Sequence, residues 1–293
     1  MTTRYGTVAL VGKPNTGKSS LLNAIVGTSL SMVSPKAQAT RMPVTGIHTT
    51  ESAQLVLLDL PGLLDPAYAL QRSLRLMAVE ALVTADLLLH LHPATEAPAP
   101  DVAEIIPELA GQPLPPSLLV YTKSDLVSTE QRTTLEATGA ILVSTEHPRS
   151  ITSLIARASE RLPPGAFRHD PEDIGTQPVR FFVGEYLREA AFNLLEDEVP
   201  YAVTAVVEEF REDRSPVYIR ATLFVERESQ KGIVIGKGGA VLRDIGTHAR
   251  HRLETLLQQR VYLETRVKVL PNWRRQRGAL TRFGFPLPPD ETT

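Results

Sequence analysis

Residues 12–19 read Gly12-Lys13-Pro14-Asn15-Thr16-Gly17-Lys18-Ser19, an uninterrupted match to G-x-x-x-x-G-K-[ST]. The pattern demands a strand before it and a helix after it. An apolar run at 8–11 and an apolar-rich segment at 20–26, stopped by Gly27, supply both. Such a loop turns backbone N–H groups toward a triphosphate at a helix N-terminus, where unpaired donors and the helix dipole favour anions. The glycines let the backbone approach the phosphates closely. Lys18 places a charge on the β/γ oxygens, and Ser19 is sized to ligate Mg²⁺.

Further apolar runs at 55–58, 87–91, 118–121 and 141–143 alternate with helical stretches at 74–82 and 152–161. This alternation predicts βαβ units and a parallel sheet covered on both faces, up to about residue 162. Ligands of such sheets sit beyond the carboxyl ends of the strands, so the residues closing each run carry the chemistry. After 55–58 comes Asp59-Leu60-Pro61-Gly62. An Asp there suits Mg²⁺, with the Gly62 N–H on the γ-phosphate. After 118–121 comes Thr122-Lys123-Ser124-Asp125. A carboxylate at Asp125 can accept hydrogen bonds from the N1–H and exocyclic amine of guanine, which adenine does not supply. Losing them would leave a charge unpaired, so discrimination is large. After 141–143, Ser144-Thr145 offer backbone contact to the base oxygen. Residues 34–41 lack apolar periodicity and read as a mobile loop, whose Thr40 can reach Mg²⁺ and the γ-phosphate; order that depends on the γ-phosphate makes such loops switch.

With 293 residues, two domains are expected. The absence of cysteine excludes disulfides and thiolate metal sites and fits a reducing cytoplasm. No apolar run reaches the length of a membrane span, and the N-terminus passes directly into the first strand, so no signal peptide is expected. The net charge of −2 conceals an asymmetry. Residues 231–282 carry 12 Lys and Arg against 3 acids, whereas 161–230 carry 8 basic and 14 acidic residues. A basic block of that size points to a polyanion or to a solvated face. His90 and His92 alternate onto one strand face, but no third metal ligand is in evidence, which leaves them a structural or solvent role.

In their order and spacing, G-K-P-N-T-G-K-S, the Thr40 loop, D-L-P-G and T-K-S-D resemble the translation-factor class of P-loop GTPases. Within it they are similar to the TrmE–Era–EngA group, whose P-loops carry the same Pro-Asn pair. The resemblance implies binding of GTP and GDP with Mg²⁺, and a K⁺ ion beside Asn15. Lys18, Thr40 and Gly62 are then the catalytic positions. Two positions depart from the group. Leu60 replaces its usual Thr, and Thr122 replaces the Asn of the base motif, which costs an amide donor toward guanine. Leu63 stands where many signalling GTPases place a water-orienting Gln. Intrinsic hydrolysis is therefore expected to be slow, roughly 10⁻⁴ to 10⁻² s⁻¹, with water as nucleophile and no general base.

Pro163-Pro164-Gly165, Pro171, Gly175 and Pro178 punctuate a linker at 163–178. A second domain is expected over 179–275 and a basic, Pro-containing tail over 276–293. Helix, two strands, then Gly236-Lys237-Gly238-Gly239 between two helices, and a last strand at 261–269 give the order α-β-β-α-α-β. The helix after the glycines carries Leu242, Ile245, Ala249, Leu253 and Leu256 as a core-facing stripe. The fold class expected is thus an α/β P-loop GTPase domain followed by an α+β KH domain of type II order. In KH domains the GxxG loop clamps the backbone of single-stranded RNA. Lys237, Arg243, Arg274 and Arg275 add phosphate-seeking charge there, Trp273 packs the tail onto the domain, and Phe283 is available to stack on a base. A P-loop GTPase joined to one C-terminal KH domain resembles the Era family of ribosome-assembly GTPases over essentially the whole chain. That resemblance implies a monomer that binds small-subunit ribosomal RNA near its 3′ end and assists maturation of the subunit precursor. It also implies a cytoplasmic protein loosely associated with the inner face of the cell membrane. The competing readings are an RNA-binding protein whose P-loop domain neither switches nor hydrolyses, supported by Leu60 and Thr122, and a small-molecule kinase, which leaves T-K-S-D unexplained.

Overall fold

A computed structural model describes residues 2–287 apart from residues 37, 110 and 112. Residue 37 of the expected mobile loop and residues 288–293 of the expected tail lie outside the described residues. The chain divides into two compact units, with the main break in sequence between Thr176 and Gln177 and with Tyr68–Leu70 grouped with the second.

Up to that break the elements are β1 (Arg4–Val11), α1 (Lys18–Val26), β2 (Val44–Thr49), β3 (Ala53–Asp59), α2 (Ala69–Val83), β4 (Leu87–Pro93), α3 (Val102–Ile105), β5 (Ser117–Thr122), α4 (Thr129–Ala137), β6 (Ile141–Leu142) and α5 (Pro148–Arg161). Among the described residues six strands form one sheet in the order β2-β3-β1-β4-β5-β6. All pairings are parallel except β2 with β3. Val8, Ala9, Leu10 and Val11 are all buried, as are Leu87, Leu88 and Leu89, because helices cover both faces and leave no solvent side for alternation to mark. The parallel register brings the carboxyl ends of β1, β3, β4 and β5 to one edge, where the loops that follow them converge.

The antiparallel β2 is a strand that the apolar runs do not announce. Gly46 interrupts it for a steric reason: a Cβ there would lie 2.7 Å from Val26 and 3.2 Å from Leu22 of α1. The stretch at 163–178, expected as a linker, runs against this unit over most of its length. Gly165 N donates to Thr3 O, Gln54 Oε1 accepts from the N–H groups of Arg168 and His169, and Ile47 N donates to Ile174 O. Gln54, fully buried, supplies the amide that fixes this strap. Its two donors and its oxygen are all engaged, as a buried side-chain amide requires.

The second unit comprises α6 (Val179–Leu194), α7 (Val199–Ala202), β7 (Thr204–Arg211), β8 (Val217–Val225), α8 (Glu228–Ile235), α9 (Ala240–Leu257), β9 (Val261–Val269) and α10 (Arg277–Arg282). Its sheet order is β7-β8-β9, with β7 antiparallel and β9 parallel to β8. Of the expected stripe on α9, Ile245, Ala249 and Leu253 are fully buried and Leu242 and Leu256 half-buried. The stretch beyond 275, expected as a tail, folds back as α10, with Ala279, Leu280 and Phe285 buried. Trp273 is fully buried. Its indole Nε1 donates to Ala202 O at 2.8 Å, and its ring meets Phe283 edge-on at 5.1 Å, so one aromatic anchors the return.

Candidate functional site

The first cluster forms where β1 gives way to α1. Gly17 opens α1 in the left-handed region at φ 90°, with neither a capping side chain nor an acid in the first turn. The first N–H groups of the helix are therefore left to whatever binds in front of them. Gly12 fits only as glycine, since a Cβ would lie 2.5 Å from Leu91 O. Lys18 is nearly buried, and its Nζ donates to Gly12 O and Lys13 O at 3.1 and 3.0 Å. Thr16 Oγ1 donates to Lys13 O, so the loop is braced from within. Burial lowers the Lys18 ammonium to about 8, against the pull of Asp59.

Asp59 ends β3 fully buried. Its Oδ2 accepts from Ser19 Oγ at 2.6 Å, from Thr40 Oγ1 at 3.2 Å and from the Ser31 hydroxyl. Its Oδ1 is buried and has no hydrogen-bond partner among the described residues. Burial raises the carboxyl above its ordinary range, with Lys18 and the three hydroxyls opposing. An orphaned carboxylate oxygen beside two hydroxyls is a donor set of the kind Mg²⁺ takes, hard and all oxygen. The residues present fit that ion. Ser31 was not legible as part of this cluster, because nothing local marks it and its hydroxyl meets Asp59 only through the tertiary approach of β3.

A cavity of about 240 Å³ opens in front of these groups, lined by Pro14, Asn15, Lys18, Ser19, Thr40 and Gly62 among others. Asn15 Nδ2 donates to Pro35 O at 2.9 Å, which ties the P-loop to the loop carrying Thr40. Gly62 sits close over Pro14, at 3.0 Å for an added Cβ. Leu60 and Leu63 do not line this cavity. Both are buried in the core with Ala9, Val11 and Leu82, so the Asp59-Leu60-Pro61-Gly62 turn is pinned from below by apolar side chains.

A second cavity, about 170 Å³, shares Gly17 and Lys123 with the first and is lined by Thr122, Asp125, Val143 and Thr145. Asp125 Oδ1 accepts from Ser144 Oγ at 2.6 Å, and that hydroxyl in turn accepts from Glu146 N. The Ser144 hydroxyl is the main cause holding the exposed Asp125 carboxyl below its ordinary range. Ser124 is buried beneath the turn, where Arg132 of α4 donates to its carbonyl and hydroxyl at 2.9 and 3.1 Å. Thr122 lines this cavity with its hydroxyl committed to backbone. Its hydroxyl donates to Thr16 O at 2.8 Å and lies 3.4 Å from His92 O, joining the ends of β5 and β4 to the P-loop. His90 and His92 are buried, and His92 Nε2 bonds Glu96 O. Among the described residues no group of three or more His, Cys, Asp or Glu gathers for a metal.

In the second unit, Gly236, Gly238 and Gly239 all have positive φ, at 72°, 60° and 77°. A Cβ at Gly236 would meet Val241 at 2.5 Å, while Gly238 and Gly239 face open space. Lys237 and Arg243 are exposed beside this turn, and Arg275 is exposed further on. Arg274 is half-buried and committed to Glu226, with Nε at 3.0 Å. Arg252 is likewise held by both oxygens of Glu189 and lies over the Tyr186 ring at 4.2 Å. Among the described residues the expected cationic set therefore separates into exposed cations with no acidic partner, Lys237, Arg243 and Arg275, and structural ones. Phe283 packs against Phe224 at 5.3 Å.

Residues 7–123 match the family described as 50S ribosome-binding GTPase, and residues 198–274 match the family described as KH domain. The chain is also similar to solved structures along nearly its full length. One is an Aquifex aeolicus Era variant bound to GDP·AlF4⁻, 33% identical over 97% of this chain and 100% of that one, with a TM-score of 0.88. Another is Era in complex with MgGDPNP and nucleotides 1506–1542 of 16S ribosomal RNA, with the same identity, coverage and TM-score. Identity of that extent, across both units and with their order kept, makes this chain a member of the Era family of GTPases.

Proposed function

We propose that the protein hydrolyses GTP in the first unit and uses the second to bind small-subunit ribosomal RNA near its 3′ end during maturation of the subunit precursor. The observation that carries the first half is the convergence of Lys18, Ser19 and Thr40 on one cavity, with the Ser19 and Thr40 hydroxyls joining it to the buried Asp59 carboxylate behind them. In this reading Ser19, Thr40 and Asp59 hold Mg²⁺, which when bound neutralises charge on the β/γ oxygens. Lys18, desolvated and short of counter-charge, receives it from the phosphates, and the Gly62 N–H addresses the γ-phosphate. The Asn15 amide donates to the adjacent loop, which leaves its carbonyl end for K⁺. Asp125, kept ionised by Ser144, selects guanine, with Thr145 beside the base; the Ser144 N–H, also expected there, is instead committed to Ser150 Oγ at 3.1 Å. Leu63, sunk in the core, cannot orient a water, so turnover is slow and rises with a partner or K⁺.

For the second half, the GxxG turn gives phosphates an open approach at Gly238 and Gly239, with Lys237, Arg243 and Arg275 as exposed cations. The relative solved with 16S ribosomal RNA supports the choice of RNA. No helix among the described residues is long and apolar enough to cross a membrane. We place the protein in the cytoplasm, touching the inner membrane face at most peripherally. The deciding experiment titrates a 3′-terminal fragment of small-subunit ribosomal RNA in GTP and in GDP, with nucleotide affinity measured with and without that RNA. Tighter RNA binding in GTP, with RNA raising GTP affinity relative to GDP by the same factor, is the expected result. Equal affinity in both nucleotides would leave two uncoupled modules, and indifference to guanine over adenine would remove the first half.

A further inference from the structure

We infer that Ser31 and Asn23 form a positioning pair for the cation site, holding Asp59 in the orientation that keeps Oδ1 free. The inference rests on the Mg²⁺ reading above and concerns two residues outside every motif. Ser31 is buried at 1% exposure, and its hydroxyl donates to Asp59 Oδ2. It belongs to neither the P-loop nor the Thr40 stretch. What fixes it is Asn23, on α1, whose Nδ2 donates to Ser31 O and whose Oδ1 accepts from Ser31 N, both at 2.8 Å. A side-chain amide that satisfies both backbone groups of one residue sets that residue's position and its rotation. Helix α1 thereby dictates where the Ser31 hydroxyl lies.

Three hydroxyls converge on Oδ2 and none on Oδ1. Ser19 and Thr40 line the cavity and would turn to the cation, whereas Ser31 lies outside that lining and would stay on the carboxylate. Once they leave, Ser31 is the hydroxyl that still restrains the carboxylate. Without it, Asp59 is free to rotate about its side-chain torsions, and part of the order needed to hold the ion must be supplied at binding. Ser31 acts through Asp59 and is a positioning residue.

The test is the affinity for fluorescent GDP as a function of free Mg²⁺, with EDTA as the metal-free arm, for the full chain and for Ser31→Ala, Asn23→Ala and the double variant. Ser31→Ala should raise the Mg²⁺ concentration for half-maximal GDP retention about tenfold, the loss typical of one hydrogen bond to a charged group. Excess Mg²⁺ should restore binding, and in EDTA the variant and the parent chain should converge. Asn23→Ala should shift the Mg²⁺ midpoint in the same direction, and the double variant should shift it no further than the larger single change. An unmoved Mg²⁺ midpoint in Ser31→Ala, or an equal loss of affinity with and without Mg²⁺, would overturn the inference and leave Ser31 a packing residue. If GDP binding by the parent chain ignored Mg²⁺ altogether, the cation reading itself would fall with it.

Discussion

At the scale of single residues, Thr122 shows how a departure from a family motif is absorbed. The base motif of the group carries Asn there; the Thr hydroxyl reaches Thr16 O at 2.8 Å and so ties the end of β5 to the P-loop. The amide donor toward guanine is absent, and the hydroxyl that stands in its place is committed to the phosphate loop. Thr122→Val keeps the shape and deletes the donor, leaving Thr16 O unpaired. GDP affinity should fall about three- to tenfold, matching a neutral hydrogen bond of about 1 kcal/mol, as read by fluorescent GDP titration. Affinity within experimental scatter of the parent chain would assign the P-loop's order to the helix dipole and glycines alone. Gly236 and Gly238 divide in a comparable way. An Asp at Gly236 would collide with Val241 and report on folding of the turn, whereas Gly238 faces open space at a φ that Asp tolerates. Gly238→Asp is therefore the clean probe of phosphate contact. It should weaken RNA binding about fivefold, the effect of about 1 kcal/mol of close like-charge repulsion in water, with GDP binding intact.

At the scale of elements, α6 and α9 meet across a half-buried charge pair, Glu189 with Arg252. Burial lifts the Glu189 carboxyl above its ordinary 4.5, with Arg252 pulling it back. The folded state thus binds this proton more tightly than the unfolded chain. Its contribution to stability is complete below the unfolded value and is lost as pH rises through the folded one. Removing the carboxylate by Glu189→Gln should flatten that component. The difference in urea midpoint between parent and variant, followed from about pH 4 to about pH 7, should change in the variant's favour as pH rises. A constant difference would mean that Arg252 compensates burial fully. The elements also show what a sequence can disclose. The run at 8–11, the break at Gly27 and the α9 stripe were readable because burial on a fixed face imposes a period. Strand β2 was not, since Gly46 answers to Val26 on a helix twenty residues earlier. Helix α4 buries none of its residues, and only the capping box of Ser128 and Gln131 marks its start. The phosphate and base motifs were legible because chemistry fixes their spacing. Ser31, Arg132 and the structural commitment of Arg274 were not, because their partners are set by tertiary contact alone.

At the scale of the whole molecule, each unit has its own core and sheet, so each should respond to its own ligand. GDP at one hundred times its Kd should stabilise the unit that binds it by about 2.7 kcal/mol. Calorimetry is expected to show two transitions, with GDP moving the one that belongs to residues up to Thr176 and leaving the other in place. Both transitions moving together would make the chain one cooperative body. The strap at 163–176 bears on the same scale. By giving Ile47 a partner in Ile174, the chain occupies hydrogen-bonding groups along the outer side of β2, the last strand of the six-stranded sheet. An open strand border is a template on which a second molecule can polymerise. The Pro- and Gly-rich strap that looks like a tether is thus also a guard against self-association, and loosening it should show first as turbidity on warming.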